Sequence, residues 1–155
     1  MIQRKQTLYL LLSGLLILLT ILLKSVSILT NDMLYSFSAM GIKDGTAEIV
    51  MPTWGLFGLA IVVVLLSFVA IFLYTKRVLQ RRITVLNLFL KSGFYLLGWL
   101  YISKFETVAE ELGAFTAVNV TIVAALPLVA MILDYLAARA IEIDERTIRS
   151  INRLR

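Results

Sequence analysis

The chain has 155 residues, 60% of them hydrophobic, a mean hydropathy of +0.91 and a net charge of +5. A soluble domain carries roughly 45–50% apolar residues, and a chain this short has no core large enough for the excess, so lipid is expected to be part of the solvent. The chain has no cysteine and no histidine, which removes disulfides, thiol nucleophiles, haem attachment, thiolate or imidazole metal sites and imidazole acid–base catalysis together.

The first long apolar stretch runs over residues 8–29, LYLLLSGLLILLTILLKSVSIL. It has the length a helix needs to cross about 30 Å of hydrocarbon. Arg4 and Lys5 ahead of it and Ser25-Val26-Ser27 near its end imitate a cleaved secretory leader. The run is long for such a leader and Lys24 abuts the supposed cleavage site, so an uncleaved helix is the favoured reading. The following loop, residues 30–53, contains LYSFSAMGIKDGTAEIV over 34–50, strand-like on both sides of Asp44-Gly45. That dipeptide marks a β-hairpin in preference to a plain connector. A lone hairpin is marginal in water, so it is expected to rest on the helix ends.

The second stretch, residues 54–74, carries no charge. A short basic loop over 75–82 holds Lys76, Arg77, Arg81 and Arg82. The third stretch, residues 83–102, contains Asn87 and Lys91; a short loop over 103–114 holds Glu106, Glu110 and Glu111. The fourth, residues 115–138, contains Asn119, Pro127 and Asp134, and a charged tail covers 139–155. Backbone groups in lipid must bond within their own segment, so each stretch reads as a helix. The brevity of the loop over 103–114 makes the last two helices antiparallel neighbours. Pro127 is expected to kink the fourth helix and free the Val123 carbonyl. Ala117, Thr121 and Ala125 repeat small residues every four positions, which lets a neighbouring helix approach.

Charge sets the expected orientation. Eleven of the lysines and arginines lie in the N-terminus, the loop over 75–82 and the tail, whereas Lys43 and Lys104 alone share the two other loops with six acids. By the positive-inside rule both termini are cytoplasmic. Tyr9, Tyr74 and Tyr135 fall at the inner boundary, and Trp54, Trp99 and Tyr101 at the outer one. The expected fold is a single all-α membrane domain, a bundle of four transmembrane helices with both termini inside and a small hairpin outside.

Two groups of residues are candidates for function. Lys91 is about 12 Å from the inner edge of the third stretch and Asp134 about 6 Å from that of the fourth. A lysine reaching inward meets that level, so a Lys91–Asp134 ion pair, joined by Asn87 one turn away, is expected; Asn119 is placed to bond to a neighbouring helix. A charge in mid-membrane costs at least about 2.5 kcal/mol, and pairing is the usual remedy. An interhelical clamp is favoured over a proton or ion relay, because transporters usually show more than one such pair and broken helices in both halves. Lys24 is expected to snorkel outward. The second group is the basic face: Arg77, Arg81 and Arg82 in the inner loop, and Arg139, Arg146, Arg149, Arg153 and Arg155 in the tail. Helical continuation puts Arg139, Arg146, Arg149 and Arg153 on one side and Ile141, Ile148 and Ile151 on another. Glu142/Arg146 and Glu145/Arg149 make acid-before-base pairs at i, i+4, worth about 0.3–0.5 kcal/mol each. Such a segment serves as a topology anchor, as a contact for anionic lipid or as a protein-binding tail. No aromatic interleaves the arginines, which argues against nucleic acid.

The opening Met1-Ile2-Gln3-Arg4, Gln6-Thr7 and Tyr9-Leu10, the centre Arg77-Val78-Leu79-Gln80-Arg81-Arg82 with Leu86-Asn87, the segment over 37–48, and the end, with Tyr135-Leu136-Ala137, Arg139-Ala140-Ile141, Asp144-Glu145, Arg149-Ser150 and Arg153-Leu154-Arg155, together resemble a family of small bacterial membrane proteins classed as a domain of unknown function. The resemblance covers essentially the whole chain. It implies four membrane helices and the inner membrane of Gram-negative bacteria, and it implies no activity or cofactor. With no catalytic motif in the chain, the expected role is a non-enzymatic membrane component that acts through its basic face on lipid, a membrane-protein partner or a second copy. A small transporter or channel subunit with a polar path along Lys91, Asp134, Asn87 and Asn119 is the alternative. An enzyme acting on lipid ranks below both.

Overall fold

The computed structural model describes residues 5–30, 33–46, 48–111 and 116–153, with Thr116 and residues 148–153 described in backbone only. Helix α1 spans Lys5–Leu22, α2 Trp54–Phe72, α3 Arg77–Glu111 and α4 Leu126–Arg153. Strands β1 to β5 are Val26–Thr30, Met33–Ser38, Gly41–Lys43, Ile49–Pro52 and Thr116–Val120. Single 3₁₀ turns, Leu73–Thr75 and Ile122–Ala125, close α2 and open α4. Among the described residues four helical segments are long and apolar enough to cross a membrane: Lys5–Leu22, Trp54–Thr75, Arg77–Glu111 and Ile122–Thr147.

The helices form a ring in which α1 packs on α2 and α4, and α3 on the same two. The strands form one antiparallel sheet of order β4-β3-β2-β1-β5. The strands β1 to β4 join α1 to α2, and β5 joins α3 to α4; because β5 pairs with β1, both connections lie at one end of the bundle. The sheet caps that end. The start of α1, the α2–α3 turn and the far half of α4 share the other. Val26, Ile28, Phe37 and Ile42 of the sheet are all buried, in one cluster with Ile17, Leu56, Ala60 and Phe94 of the helices. Outside the bundle, Leu65, Phe72, Phe89 and Leu128 stay largely exposed. Soluble monomers rarely expose so continuous an apolar surface, and lipid is the solvent that suits it.

Several boundaries differ from the sequence expectation. The stretch over 8–29 is not one helix: α1 stops at Leu22, and Val26-Ser27-Ile28-Leu29-Thr30 forms β1. There Val26, Ile28 and Thr30 turn inward while Ser27 and Leu29 do not, the period of two that a strand imposes. Pairing on both sides, Val26 with Phe37 and with Val120, satisfies its backbone. The bundle is therefore not purely α. The hairpin around Asp44-Gly45 is β3–β4, with Lys43 opposite Ile49, and it forms part of this larger sheet.

The stretch over 115–138 is likewise not one helix. Residues 116–120 pair with β1, and α4 begins only at Leu126. Pro127 is the second residue of α4, where an N–H has no intrahelical partner to lose; it starts the helix and kinks nothing. Ala117, Thr121 and Ala125 fall in a strand, a connector and a 3₁₀ turn, so they make no helix face. In the opposite direction, α3 overruns both predicted ends of 83–102. Its C-terminal turns absorb most of the loop over 103–114, including Glu106, Glu110 and Glu111. Phe105 packs against Tyr35 of β2, ring centroids 5.2 Å apart and planes tilted by 60°, and Ala109 is buried, so this extension leans on the sheet. The tail over 139–153 continues α4 without interruption.

Candidate functional site

The polar groups read from the sequence lie at two levels. Midway along the bundle, Lys91 of α3 and Asp134 of α4 are 2.5 Å apart, Nζ to Oδ2, both side chains 0% exposed. Asn87, one turn before Lys91, donates through Nδ2 to Asp134 Oδ2 at 3.3 Å and to Ser67 Oγ of α2 at 2.8 Å. Ser13 of α1 donates to Asp134 Oδ1 at 2.5 Å and accepts from Lys91 Nζ. Every helix thus contributes to one buried network. Ser67 also donates to the Val63 carbonyl at 3.0 Å. Gly14 lets α1 close on this level, since a Cβ there would sit 3.2 Å from Ser67 Cβ. Burying two charges is unfavourable unless geometry and surrounding hydrogen bonds compensate. Here the ammonium has the carboxylate and a hydroxyl, and the carboxylate has three donors.

The structure brings Lys91, Asp134 and Asn87 together and leaves Asn119 out. Asn119 is exposed on β5, opposite Ser27 at the sheet end. Its pairing with β1 places it there, not in a helix. Ser13 and Ser67 were missed in the sequence. Their signal was slight: Ser67 is the one hydroxyl between Trp54 and Tyr74, and Ser13 stands beside a glycine in a run of leucines. Lys24 is exposed just beyond α1.

The second level is the end opposite the sheet. Arg77, Arg81 and Arg82 occupy the first turns of α3; Arg139 and Arg146 stand on α4. Arg81 Nη2 lies 3.1 Å from Glu142 Oε2, and Arg146 Nη2 lies 2.5 Å from Glu142 Oε1. Arg77 Nη1 donates to the Asp144 carbonyl at 3.3 Å. Gln6 of α1 donates to the Ala140 carbonyl at 3.2 Å and to the Asp144 carboxylate. Ile141 is fully buried. The start of the tail is therefore a continuation of α4 fastened to the bundle by Gln6 of α1 and by Arg77 and Arg81 of α3, with Ile141 buried and Ile143 exposed. The side chains of Arg149 and Arg153, and all of Arg155, lie outside the described residues. Among the described residues no three carboxylates gather in a metal-binding group.

A family model for a domain of unknown function, DUF4293, matches residues 2–154. The chain belongs to the DUF4293 family. The match takes in all four helices, the sheet and both polar levels, so in this DUF4293 chain the buried network and the basic end are parts of one family domain. A search of curated proteins found no match.

Proposed function

We propose that this chain is a bacterial inner-membrane protein that crosses the bilayer four times, keeps both termini in the cytoplasm, and serves as a non-enzymatic component acting through its basic end. The observation that carries this reading is the enclosure of Lys91 and Asp134, 0% exposed and bonded by groups from all four helices. A pair held in this way is a clamp, since every helix would have to shift to open it. The bundle is then a rigid support, and its basic end is the surface left to meet lipid or a protein partner. The orientation draws on the charge count: of the eleven basic residues, Lys5, Lys76, Arg77, Arg81, Arg82, Arg139 and Arg146 are described in full, and they lie in segments at the end opposite the sheet.

Reconstituted vesicles test the clamp. The Lys91→Met, Asp134→Leu double variant is expected to insert and fold like the parent, and neither protein is expected to dissipate an imposed pH or ion gradient. A flux in the parent that the double variant lacks would make the pair a relay.

One observation favours that second reading, a small transporter or channel subunit. Asn87 Oδ1 is buried with no hydrogen-bond partner, so the network has a spare acceptor at the level of the pair, where a proton carrier could attach. The same flux measurement decides it.

A further inference from the structure

At the basic end a groove of about 450 Å³ follows the seam between α3 and α4, lined by Arg81, Val85, Tyr135, Arg139, Glu142 and Arg146 among others. Three guanidinium groups and one carboxylate line it. Glu142 holds Arg81 at 3.1 Å across the seam and Arg146 at 2.5 Å one turn on, and so fixes two forks beside the groove. Arg139, one turn earlier on α4, is exposed and has no ion pair among the described residues. The groove therefore carries surplus positive charge in planar donors, which match the oxygens of a phosphate.

One side of the groove is apolar, and this decides the source of the phosphate. Val85 and Tyr135 lie on the side of the groove nearer the middle of the bundle. Phe89, four residues beyond Val85, is 66% exposed, and Ile132, three residues before Tyr135, is 51% exposed. The spacings continue the same ridges of the two helices away from the arginines. Charge at one end and an apolar track running into the span suit a lipid with an anionic head and acyl chains. A free phosphate would use the first and not the second. Basic pockets between membrane helices on the cytoplasmic side bind anionic headgroups in this manner.

We propose that the α3–α4 groove is a binding site for an anionic phospholipid, its phosphate held by Arg139 between the two arginines fixed by Glu142, and its chains lying along Val85 and Tyr135. The inference rests on the membrane reading above. Full-length protein in neutral detergent is to be titrated with phosphatidylglycerol or phosphatidylcholine and the bound lipid counted by native mass spectrometry, with inorganic phosphate as a competitor. The parent is expected to retain phosphatidylglycerol in preference to phosphatidylcholine, and millimolar phosphate is expected not to displace it. Arg139→Gln is expected to lose about fivefold in affinity, the share of one basic residue near an anionic surface. Lys104→Gln, exposed on the last turns of α3 at the sheet end, is expected to change little. Equal retention of the two lipids, equal losses in the two variants, or displacement by phosphate would each overturn the site. Flotation separates this failure from that of the membrane reading. Parent and Arg139→Gln protein reconstituted in phosphatidylcholine vesicles should both float, and a parent that pellets would refute the membrane reading itself.

Discussion

Gln6 and Asp144 are bonded side chain to side chain although 138 residues separate them in the chain. The same amide donates to the Ala140 carbonyl at 3.2 Å. Together these contacts fasten the first turn of α1 to the far half of α4. Gln6 is 6% exposed, so removing its amide leaves the Asp144 carboxylate without this buried donor. Such a loss typically costs about 1–3 kcal/mol. Gln6→Leu is therefore expected to loosen the end of α4, seen as faster tryptic cleavage after Arg146 in detergent. Cleavage at the parent rate would show that packing around Ile141 holds the segment by itself.

The Lys91–Asp134 pair makes a prediction about asymmetry. Removing one partner strands a buried charge, which costs about 3–5 kcal/mol, whereas replacing both with apolar residues of similar volume is often neutral. Lys91→Met and Asp134→Leu, each alone, are expected to lower the unfolding midpoint in detergent sharply. The double variant is expected to recover most of the loss. Additive losses would mean that the two side chains are not coupled, contrary to their 2.5 Å separation.

These two sets of contacts differ in how legible they were. Lys91 and Asp134 stand out in the sequence because a charge within an apolar run must find a partner, and only two were deep enough to match. Ser13 and Ser67 complete the network but are inconspicuous, since a serine in a membrane helix can bond to its own backbone, as Ser67 does to Val63. The bundle was legible from the lengths of the apolar stretches. β1 and β5 were not. Each falls within or at the end of an apolar run that reads as one helix, and nothing in Val26–Thr30 or Thr116–Val120 alone says that they lie side by side; their strand character follows from a pairing about 90 residues apart. The reach of α3 to Glu111 depends in the same way on a distant partner, Tyr35. The Gln6 contact shows the limit most clearly: the pattern of the tail continues the helix past Ala138, but no periodicity says that this continuation packs against the first turn of α1.

The turn between β3 and β4 carries a pH dependence. Asp44 Oδ1 accepts from the Thr46 hydroxyl at 2.7 Å, which does most to hold the carboxyl below its ordinary 3.8; the amides of Glu48 at 3.0 Å and Thr46 at 2.9 Å act in the same direction. A carboxyl with a depressed folded value stabilises the fold fully above 3.8, and this contribution is lost as pH falls through the lower folded value. Acidification through that window is expected to speed amide exchange at Thr46 and Glu48. Thr46→Ala is expected to bring the Asp44 titration back toward 3.8, followed by carboxyl NMR. An unchanged titration in Thr46→Ala would remove the hydroxyl from the account.

Topology is the most consequential prediction. The sheet end bears Lys43, Asp44 and Glu48 together with the acidic last turns of α3, while Arg77, Arg81, Arg82, Arg139 and Arg146 share the other end. Basic residues resist export far more than acids promote it. Alkaline phosphatase inserted between Asp44 and Gly45 is therefore expected to be active, because it folds only outside the cytoplasm. The same enzyme fused after Arg155 is expected to be inactive, and a green fluorescent protein fused there to glow. Replacing Arg77, Arg81 and Arg82 together with glutamine weakens the retained charge between the second and third spans, and is expected to give a mixed population with partial phosphatase activity at the C-terminus. Full phosphatase activity after Arg155 in the unmodified chain would invert the molecule, and it would put the arginine groove on the side of the membrane where the anionic inner leaflet cannot reach it.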